Sequence, residues 1–152
     1  MGKKNKKDKA SKAEKKAAKQ AKKLEGKPVK TGKGETPAEV AAELVRMFND
    51  GQWSEIEEKF WSPKITSVEG VGVAKAWKGR KAVDAKNKAW LDTHTIHSAR
   101  AEGPFVGASG FAVRYSMEIE DKGNGQRTKM EEVGVYEVKD GKIVREEFMY
   151  RT

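Results

Sequence analysis

Residues 133–150 read VGVYEVKDGKIVREEFMY, and this stretch decides the fold. Asp140-Gly141 is a dipeptide that favours a tight turn between two antiparallel strands. On either side of it, side chains two residues apart are similar in polarity. Side chains at this spacing lie on the same face of a β-strand. The stretch therefore predicts a β-hairpin with strands over residues 133–138 and 143–150.

The same alternation extends upstream as far as Thr93. Residues 122–125, KGNG, predict a second tight turn. One face of the strand before that turn is apolar, and it carries Phe111, Val113, Tyr115, Met117 and Ile119. Four strands joined by short turns form an antiparallel meander, and its apolar face has to be covered by the segments that precede it.

Helices are predicted in those preceding segments. Thr36-Pro37-Ala38-Glu39 is a capping box with proline at the first helical position, and apolar residues follow at helical spacing until Gly51. A second capping box at Ser54 opens a short helix that ends before Ser62-Pro63.

A third helix is predicted over about residues 79–92, with Val83, Trp90 and Leu91 on its buried side. Between the second and third helices, residues 65–69 and 74–77 predict a small strand pair. The overall prediction is an α+β domain, residues 35–152, in which three helices cover a curved antiparallel sheet.

The positive charge of the chain is concentrated at its beginning. Residues 1–34 hold fourteen lysines against three acidic residues, a net charge of +11, so residues 35–152 carry −2 of the total of +9. Large aliphatic residues are too few in residues 1–34 to offset the entropy of ordering, which predicts a disordered tail. Such a tail is either a solvated arm or a salt-sensitive contact to a polyanion such as nucleic acid or an anionic membrane surface.

Several kinds of chemistry are excluded or not indicated. The chain has no cysteine, so it has no disulfide, thiolate nucleophile or cysteine-based metal site. It carries no phosphate-binding glycine motif, and we predict no cofactor. The sequence contains neither a transmembrane run nor a secretory signal, which predicts a cytoplasmic protein.

The order of predicted elements resembles the SnoaL-like branch of the nuclear-transport-factor-2-like superfamily. The resemblance covers about residues 37–152. It is carried by FNDGQW at 48–53, WSPKI at 61–65, KGRKA at 78–82, GPFV at 103–106 and VYEVKDGKI at 135–143. It implies a cone-shaped α+β fold that encloses a pocket and often dimerises through the outer face of its sheet. It does not imply one activity, because this scaffold hosts isomerases, cyclases, dehydratases, hydrolases and binding modules.

The resemblance also suggests where catalytic groups would lie. Ketosteroid isomerases of this superfamily place a carboxylate base at the position of Glu69. Their tyrosine oxyanion donor corresponds to a position near Leu44, and the acidic residue of SnoaL-type cyclases corresponds to Gly134. Two of the three expected groups are therefore missing from this sequence.

Strand phase predicts further pocket residues. Glu132 and Tyr136 flank Gly134 on its face, and Glu146, Phe148 and Tyr150 alternate on the last strand. Glutamates among aromatic residues are either buried and paired, for example with Arg114, Arg145 or backbone, or they face a wet cavity. In the second interpretation Glu69, Glu132, Glu146 and His97 converge as an acidic site, with Trp90 and Tyr115 also at the pocket.

The two histidines do not predict a metal site. His94 and His97 are three residues apart at the start of a strand, where such side chains point to opposite faces. His97 is either a hydrogen-bonded structural residue or a general acid or base. Trp77, Trp90 and Phe105 are interpreted as core residues first and as ligand contacts second.

Two functions remain open from the sequence. The first is a pocket for a small apolar or amphipathic ligand, with or without catalysis; if catalytic, Glu69 or His97 would transfer a proton on a carbonyl compound. The second is a non-catalytic homodimeric adaptor, tethered to a polyanion by the lysine-rich tail.

Overall fold

The computed structural model describes residues 34–150. Within them lie three helices and six strands. In chain order they are α1 (Pro37–Asn49), α2 (Trp53–Phe60), β1 (Trp61–Glu69), β2 (Lys75–Lys78), α3 (Arg80–Thr93), β3 (His94–Val106), β4 (Gly110–Asp121), β5 (Arg127–Lys139) and β6 (Lys142–Tyr150). The predicted α+β class and the order of its elements are confirmed.

The predicted tail, residues 1–34, lies outside the described residues except for Gly34. That glycine approaches the backbone of Asp140 so closely that a β-carbon would collide with the Asp140 carbonyl. Gly34 therefore packs against the β5–β6 turn. None of the helices in residues 34–150 is long and apolar enough to cross a membrane.

Helix α1 begins as its capping box predicts. The Thr36 backbone N–H donates to Glu39 Oε2 at 2.7 Å, and the Glu39 N–H donates to Thr36 Oγ1 at 3.3 Å. Val40, Ala41 and Leu44 form its buried face. Gly51 follows the helix with φ of +76°, a conformation that glycine adopts without a steric penalty.

The predicted start of α2 is wrong by two residues. The helix begins at Trp53 after Gln52, with no side-chain cap. The Ser54 hydroxyl bonds to the Glu55 carboxylate instead of a backbone N–H. Helix α2 starts here because the indole N–H of Trp53 donates to the carbonyl of Phe48 at 3.0 Å, which ties the two helices together.

The sheet has the strand order β2-β1-β6-β5-β4-β3. Strands β3 to β6 form the predicted antiparallel meander, and β1 pairs with β2 as the predicted small hairpin. The two parts are joined by a parallel pairing of β1 with β6. This pairing was not predicted, and it makes the strand pair and the meander one curved sheet.

The core lies between the helices and the inner face of this sheet. Phe60, Ile65, Val83, Val113 and Ile143 are fully buried there. Two residues predicted to be buried are not, since Leu91 is 46% exposed and Phe105 is 66% exposed. Phe105 lies near the end of the edge strand β3, where no further strand covers it.

Candidate active site

A cavity of about 260 Å³ lies between the helices and the inner face of the sheet. Much of its wall is apolar and aromatic, with Phe48, Trp53, Trp61, Trp90 and Phe148 among the contributors. Six of its residues carry charged or amide groups: Glu57, Glu69, Lys86, Asn87, Glu132 and Glu146. An apolar enclosure with a few polar groups is the usual form of a small-molecule site.

Strand register places the polar residues of the sheet side by side. Glu132 on β5 lies directly opposite Tyr115 on β4 and Tyr150 on β6. Glu146 on β6 lies opposite Tyr136 on β5 and Ser67 on β1. Residues that face each other in this way have β-carbons about 5 Å apart, so these side chains form one continuous polar strip.

Lys86 is the cation at the centre of the site. Its ammonium donates to Ser67 Oγ at 2.9 Å and forms a hydrogen-bonded ion pair with Glu69. It also lies 3.9 Å from Glu146 Oε1 and 5.3 Å from the centre of the Phe148 ring. Helix α3 brings Lys86 here because residues 83, 86 and 90 share one helical face, whose Val83 is fully buried.

Glu146 is fully buried, and neither carboxylate oxygen has a hydrogen-bond partner of normal geometry among the described residues. Burial raises the pKa of Glu146 to about 7, because a charged carboxylate loses its hydration there. The charge of Lys86 and the neighbouring Ser67 hydroxyl oppose this rise in pKa. The carboxyl group is therefore held close to its protonation midpoint at neutral pH.

Glu132 is a second carboxyl group of the same kind. Burial, together with the negative charges of Glu69 and Glu146, raises its pKa to about 7, while the positive charge of Lys86 opposes the rise. Its side chain makes no hydrogen bond or ion pair with any residue in 34–150. Glu132 differs from Glu69 in this respect, because the Glu69 carboxylate is already bound to Lys86.

A third carboxyl group comes from α2. The Glu57 carboxylate accepts a hydrogen bond from the Asn87 side chain at 3.1 Å. Burial raises the pKa of Glu57, and the Asn87 hydrogen bond opposes that rise. Acidic groups thus approach the cavity from a helix as well as from the sheet.

Tyr115 and Tyr136 form a buried pair in which the two hydroxyl oxygens are 2.6 Å apart. Burial raises the pKa of both phenols, so both stay protonated. Their rings lie over Gly134, where a β-carbon would be 2.7 Å from the Tyr136 oxygen and 2.9 Å from the Tyr115 ring. Because two hydroxyls share one hydrogen bond, one O–H donor of the pair remains available.

The structure brings most of the sequence-predicted site residues to this cavity. Glu69, Glu132, Glu146, Trp90, Tyr115, Tyr136 and Phe148 all line it. Tyr150 lies in an adjoining depression of about 400 Å³, which shares Glu69 and Phe148 with the cavity. The alternative salt bridges are absent from residues 34–150, because Arg114 pairs with Glu102 and Glu131 and Arg145 pairs with Glu147.

His97 does not join the three glutamates, so the predicted convergence is wrong for this residue. Its Nε2 lies 2.7 Å from Glu120 Oε2, and Arg127 contacts its other ring nitrogen. The neighbouring Ile96 lines the cavity, which directs His97 to the opposite face of β3. His94 stacks on Trp90 with ring centres 4.6 Å apart, so the two histidines do not meet.

Sequence reasoning missed Lys86, which organises the site. Its position three residues after Val83 and four before Trp90 was a usable signal, because both neighbours were predicted to face the core. A lysine at such a position is either extended to solvent or paired inside. The buried partners that decide between these outcomes lie on β1 and β6, far away in sequence.

This arrangement can move a proton in an apolar enclosure. Glu132 makes no ion pair within residues 34–150, and the tyrosine pair, with Tyr136 on the same strand and Tyr115 on β4, supplies a hydroxyl donor. At the positions of the missing family groups, Leu44 lines the cavity and Gly134 lies beneath the tyrosine rings. The tyrosine pair thus occupies the space above the residue that corresponds to the cyclase acid.

Comparison with known proteins identifies the family of this fold. The sequence profile of the SnoaL-like domain matches residues 35–150. Among solved structures, a Mesorhizobium loti protein named both as a candidate SnoaL-like polyketide cyclase and as a carbohydrate phosphatase is 34% identical, with 76% of this chain and 100% of that chain covered and a TM-score of 0.72. No curated protein matches the chain significantly.

More distant structures share the fold alone. A candidate SnoaL-like polyketide cyclase from Jannaschia sp. CCS1 is 15% identical, with 78% of this chain and 91% of that chain covered and a TM-score of 0.63. TerC, crystallised with polyporic acid, is also 15% identical, with coverage of 76% and 91% and a TM-score of 0.58. The profile match and the 34% identical relative show that this chain belongs to the SnoaL-like domain family.

Proposed function

We propose that residues 35–150 bind a small, mainly apolar or amphipathic carbonyl compound and transfer a proton on it. The observation that carries the proposal is the unpaired carboxyl group of Glu132 on the wall of an aromatic cavity. Of the two activities in the name of the 34% identical relative, polyketide cyclase fits this class of compound and carbohydrate phosphatase does not.

Glu132 is the base in this proposal. Its carboxylate takes a proton from a carbon next to the carbonyl group, and the electron pair of that C–H bond moves toward the carbonyl oxygen. The enolate that forms regains a proton from the Glu132 carboxylic acid at the same carbon or at a conjugated one. A carboxyl group with a pKa of about 7 suits both steps near neutral pH.

The tyrosine pair is the candidate donor to the developing oxyanion. A preorganised hydroxyl in a site that excludes water stabilises such a charge more strongly than water does. Glu69, the base suggested by the family resemblance, is bound to Lys86 and would have to leave that ion pair to accept a proton. We therefore assign the proton transfer to Glu132 and the positioning of Lys86 to Glu69.

Isotope exchange tests this proposal without knowledge of the natural substrate. The full chain is incubated in D₂O with a panel of neutral aryl and cyclic ketones, and deuterium incorporation is followed by NMR. We expect accelerated exchange for at least one ketone, reduced by about a hundredfold or more in Glu132→Gln, because removal of a general base commonly costs that much.

Glu131→Gln is the matched control. Glu131 is the neighbour of Glu132 on the outer face of the sheet, where it pairs with Arg114, so its replacement should leave exchange unchanged. Proton transfer by Glu132 would be refuted if wild type and Glu132→Gln exchanged deuterium at the same rate. It would also be refuted if no ketone exchanged faster than in the absence of the protein.

The second candidate function is a non-catalytic homodimeric binding module. It is favoured by Val133 and Met149, which are opposite each other on β5 and β6 and are 38% and 54% exposed. Burial of this apolar pair in a second copy would remove it from water. Contact of the lysine-rich segment with a polyanion, and a cytoplasmic location, remain predictions from the sequence.

A further inference from the structure

The cavity carries more negative than positive groups. Glu57, Glu69, Glu132 and Glu146 face a single cation, Lys86, among the described residues that line it. Lys86 is already bound to Glu69 and lies near Glu146. The charge of Glu132 is left without a counterion, and so is part of the charge of Glu146.

Glu146 gives an independent indication of a missing positive charge. It is fully buried on the cavity wall, and both of its oxygens lack a hydrogen-bond partner among residues 34–150. A buried polar group without a partner is costly, and such groups in native proteins commonly mark a function or an absent ligand.

The aromatic walls suit the same kind of ligand. Trp53, Trp61, Trp90, Phe48 and Phe148 surround the cavity, and aromatic faces attract organic cations. The site already uses this attraction once, because the Lys86 ammonium lies 5.4 Å from the Trp77 ring centre and 5.3 Å from that of Phe148. Aromatic rings beside uncompensated carboxylates form an environment that favours a cation over a neutral or anionic group.

We infer that the compound bound in this cavity carries a positively charged nitrogen, seated among the aromatic side chains beside Glu132. The inference rests on the proposed ligand-binding function and specifies its substrate class as carbonyl compounds that also carry an amino group. An anionic compound is disfavoured, because it would add to the repulsion among four carboxyl groups.

A bound ammonium would also set the protonation state of Glu132. Burial and the neighbouring carboxylates keep its carboxyl group close to half protonated at neutral pH, and a nearby cation favours the ionised form. Binding should therefore release a proton and leave Glu132 as the base that the proposed reaction needs. The titratable groups that face Glu132 from the surrounding elements are Glu57, Glu69, Lys86, Tyr115, Tyr136, Glu146 and Tyr150.

Three probes of one shape and different charge test this inference on the full chain. They are 2-phenylethylamine, 2-phenylethanol and phenylacetate, measured by isothermal titration calorimetry at neutral pH. We expect the amine to bind about tenfold or more tightly than the alcohol, which corresponds to a cation–aromatic contact together with a nearby carboxylate. Phenylacetate should bind most weakly.

Proton release provides a second readout on the same samples. Titrations of the amine in two buffers of different ionisation enthalpy should differ in heat in the direction of proton release. This difference should be smaller at about pH 8.5 than at pH 7, because the carboxyl groups are then largely ionised before binding while the amine, with a pKa of about 10, is still protonated. Glu132→Gln should lose the preference for the amine, and Glu131→Gln should keep it.

Binding of the alcohol or of phenylacetate as tightly as the amine would overturn the inference, and so would a failure of the amine to bind. If Glu132-dependent ketone exchange persists in that case, the proposed function stands and only the substrate class is wrong. If the amine is preferred and exchange is absent, the substrate class stands and proton transfer is wrong.

Discussion

Glu146 is the residue whose environment departs furthest from what glutamate ordinarily requires. Its carboxyl group is enclosed between Tyr136 and Ser67, and Lys86 is the only cation of residues 34–150 that lies near enough to compensate its charge. Lys86, however, is shared with Glu69. Ionisation of Glu146 therefore costs more free energy in the folded state than in the unfolded chain, where water solvates the carboxylate.

This makes the stability of the fold dependent on pH. The folded pKa of Glu146 is about 7, against 4.5 as its ordinary value. Between these values the folded state holds a proton that the unfolded state has released, so the stabilisation present below about pH 4.5 is lost as the pH rises through about 7. The free energy of unfolding that this one group loses over that pH range is on the order of 3 kcal/mol.

Glu146→Gln should therefore be more stable than wild type at pH 8 and should lose less stability between pH 5 and pH 8. An uncharged amide avoids the ionisation cost, and Lys86 keeps Glu69 and Ser67 as partners. Urea denaturation at both pH values measures this, with Glu147→Gln on the outer face as the control. A loss of about 3 to 5 kcal/mol at pH 8 would instead identify Glu146 as an essential ion-pair partner.

At the scale of the element, β5 positions the tyrosine pair through a glycine. Gly134 lies on the inner face between Glu132 and Tyr136, and the two tyrosine rings occupy the space above its α-carbon. Hydrogen bonding between the hydroxyls and stacking of Tyr136 on Phe111, with ring centres 4.9 Å apart, fix these rings in place. The two tyrosine rings can approach the backbone of β5 this closely only at a residue without a side chain.

Gly134→Ala should consequently destabilise the domain by about 1 to 3 kcal/mol, the usual range for overpacking of a core. It should also change the near-ultraviolet circular dichroism of the tyrosines. Gly107→Ala is the matched control, because a β-carbon there would meet only the Gly110 carbonyl at 3.6 Å. An unchanged melting temperature and spectrum in Gly134→Ala would mean that the tyrosines are not held against this glycine.

Patterns along the chain predict the elements better than the contacts between them. Alternation predicts β3 to β6 and places Tyr115, Glu132 and Glu146 on the inner face, because strand phase is a local property. The parallel β1–β6 pairing joins segments about eighty residues apart and leaves no local signal. Lys86 was missed for the same reason. The role given to His97 was instead an error of strand phase, because the adjacent Ile96 takes the inner face of β3.

At the scale of the whole molecule, the outer face of the sheet mixes apolar residues with ion pairs. Val133 and Met149 are exposed and opposite each other, and Val135 lies two residues from Val133 on the same face. Around them, Arg114 bridges Glu102 and Glu131 across the strands. An apolar centre with a charged rim is the composition of many subunit interfaces.

On this basis we predict a homodimer that Val135→Lys converts to a monomer. A lysine here would bring a charged group into the apolar centre of the face, and the free energy lost when that charge is desolvated would oppose association even though Glu147 lies opposite on β6. Sedimentation velocity measures the change, and Val73→Lys is the control, since Val73 is 76% exposed in the β1–β2 connection and off the outer face. A wild-type protein that sediments as a monomer would contradict the prediction.

The central position of β6 has a consequence for how the chain is made. Strand β6 is the last of the six strands to be translated, yet in the sheet it lies between β1 and β5. Strands β3, β4 and β5 can pair as they leave the ribosome, whereas β1 waits with only β2 beside it until residues 142–150 have emerged. Since such long-range pairings form slowly and domains fold as units, the cavity is assembled only once translation of this domain is complete.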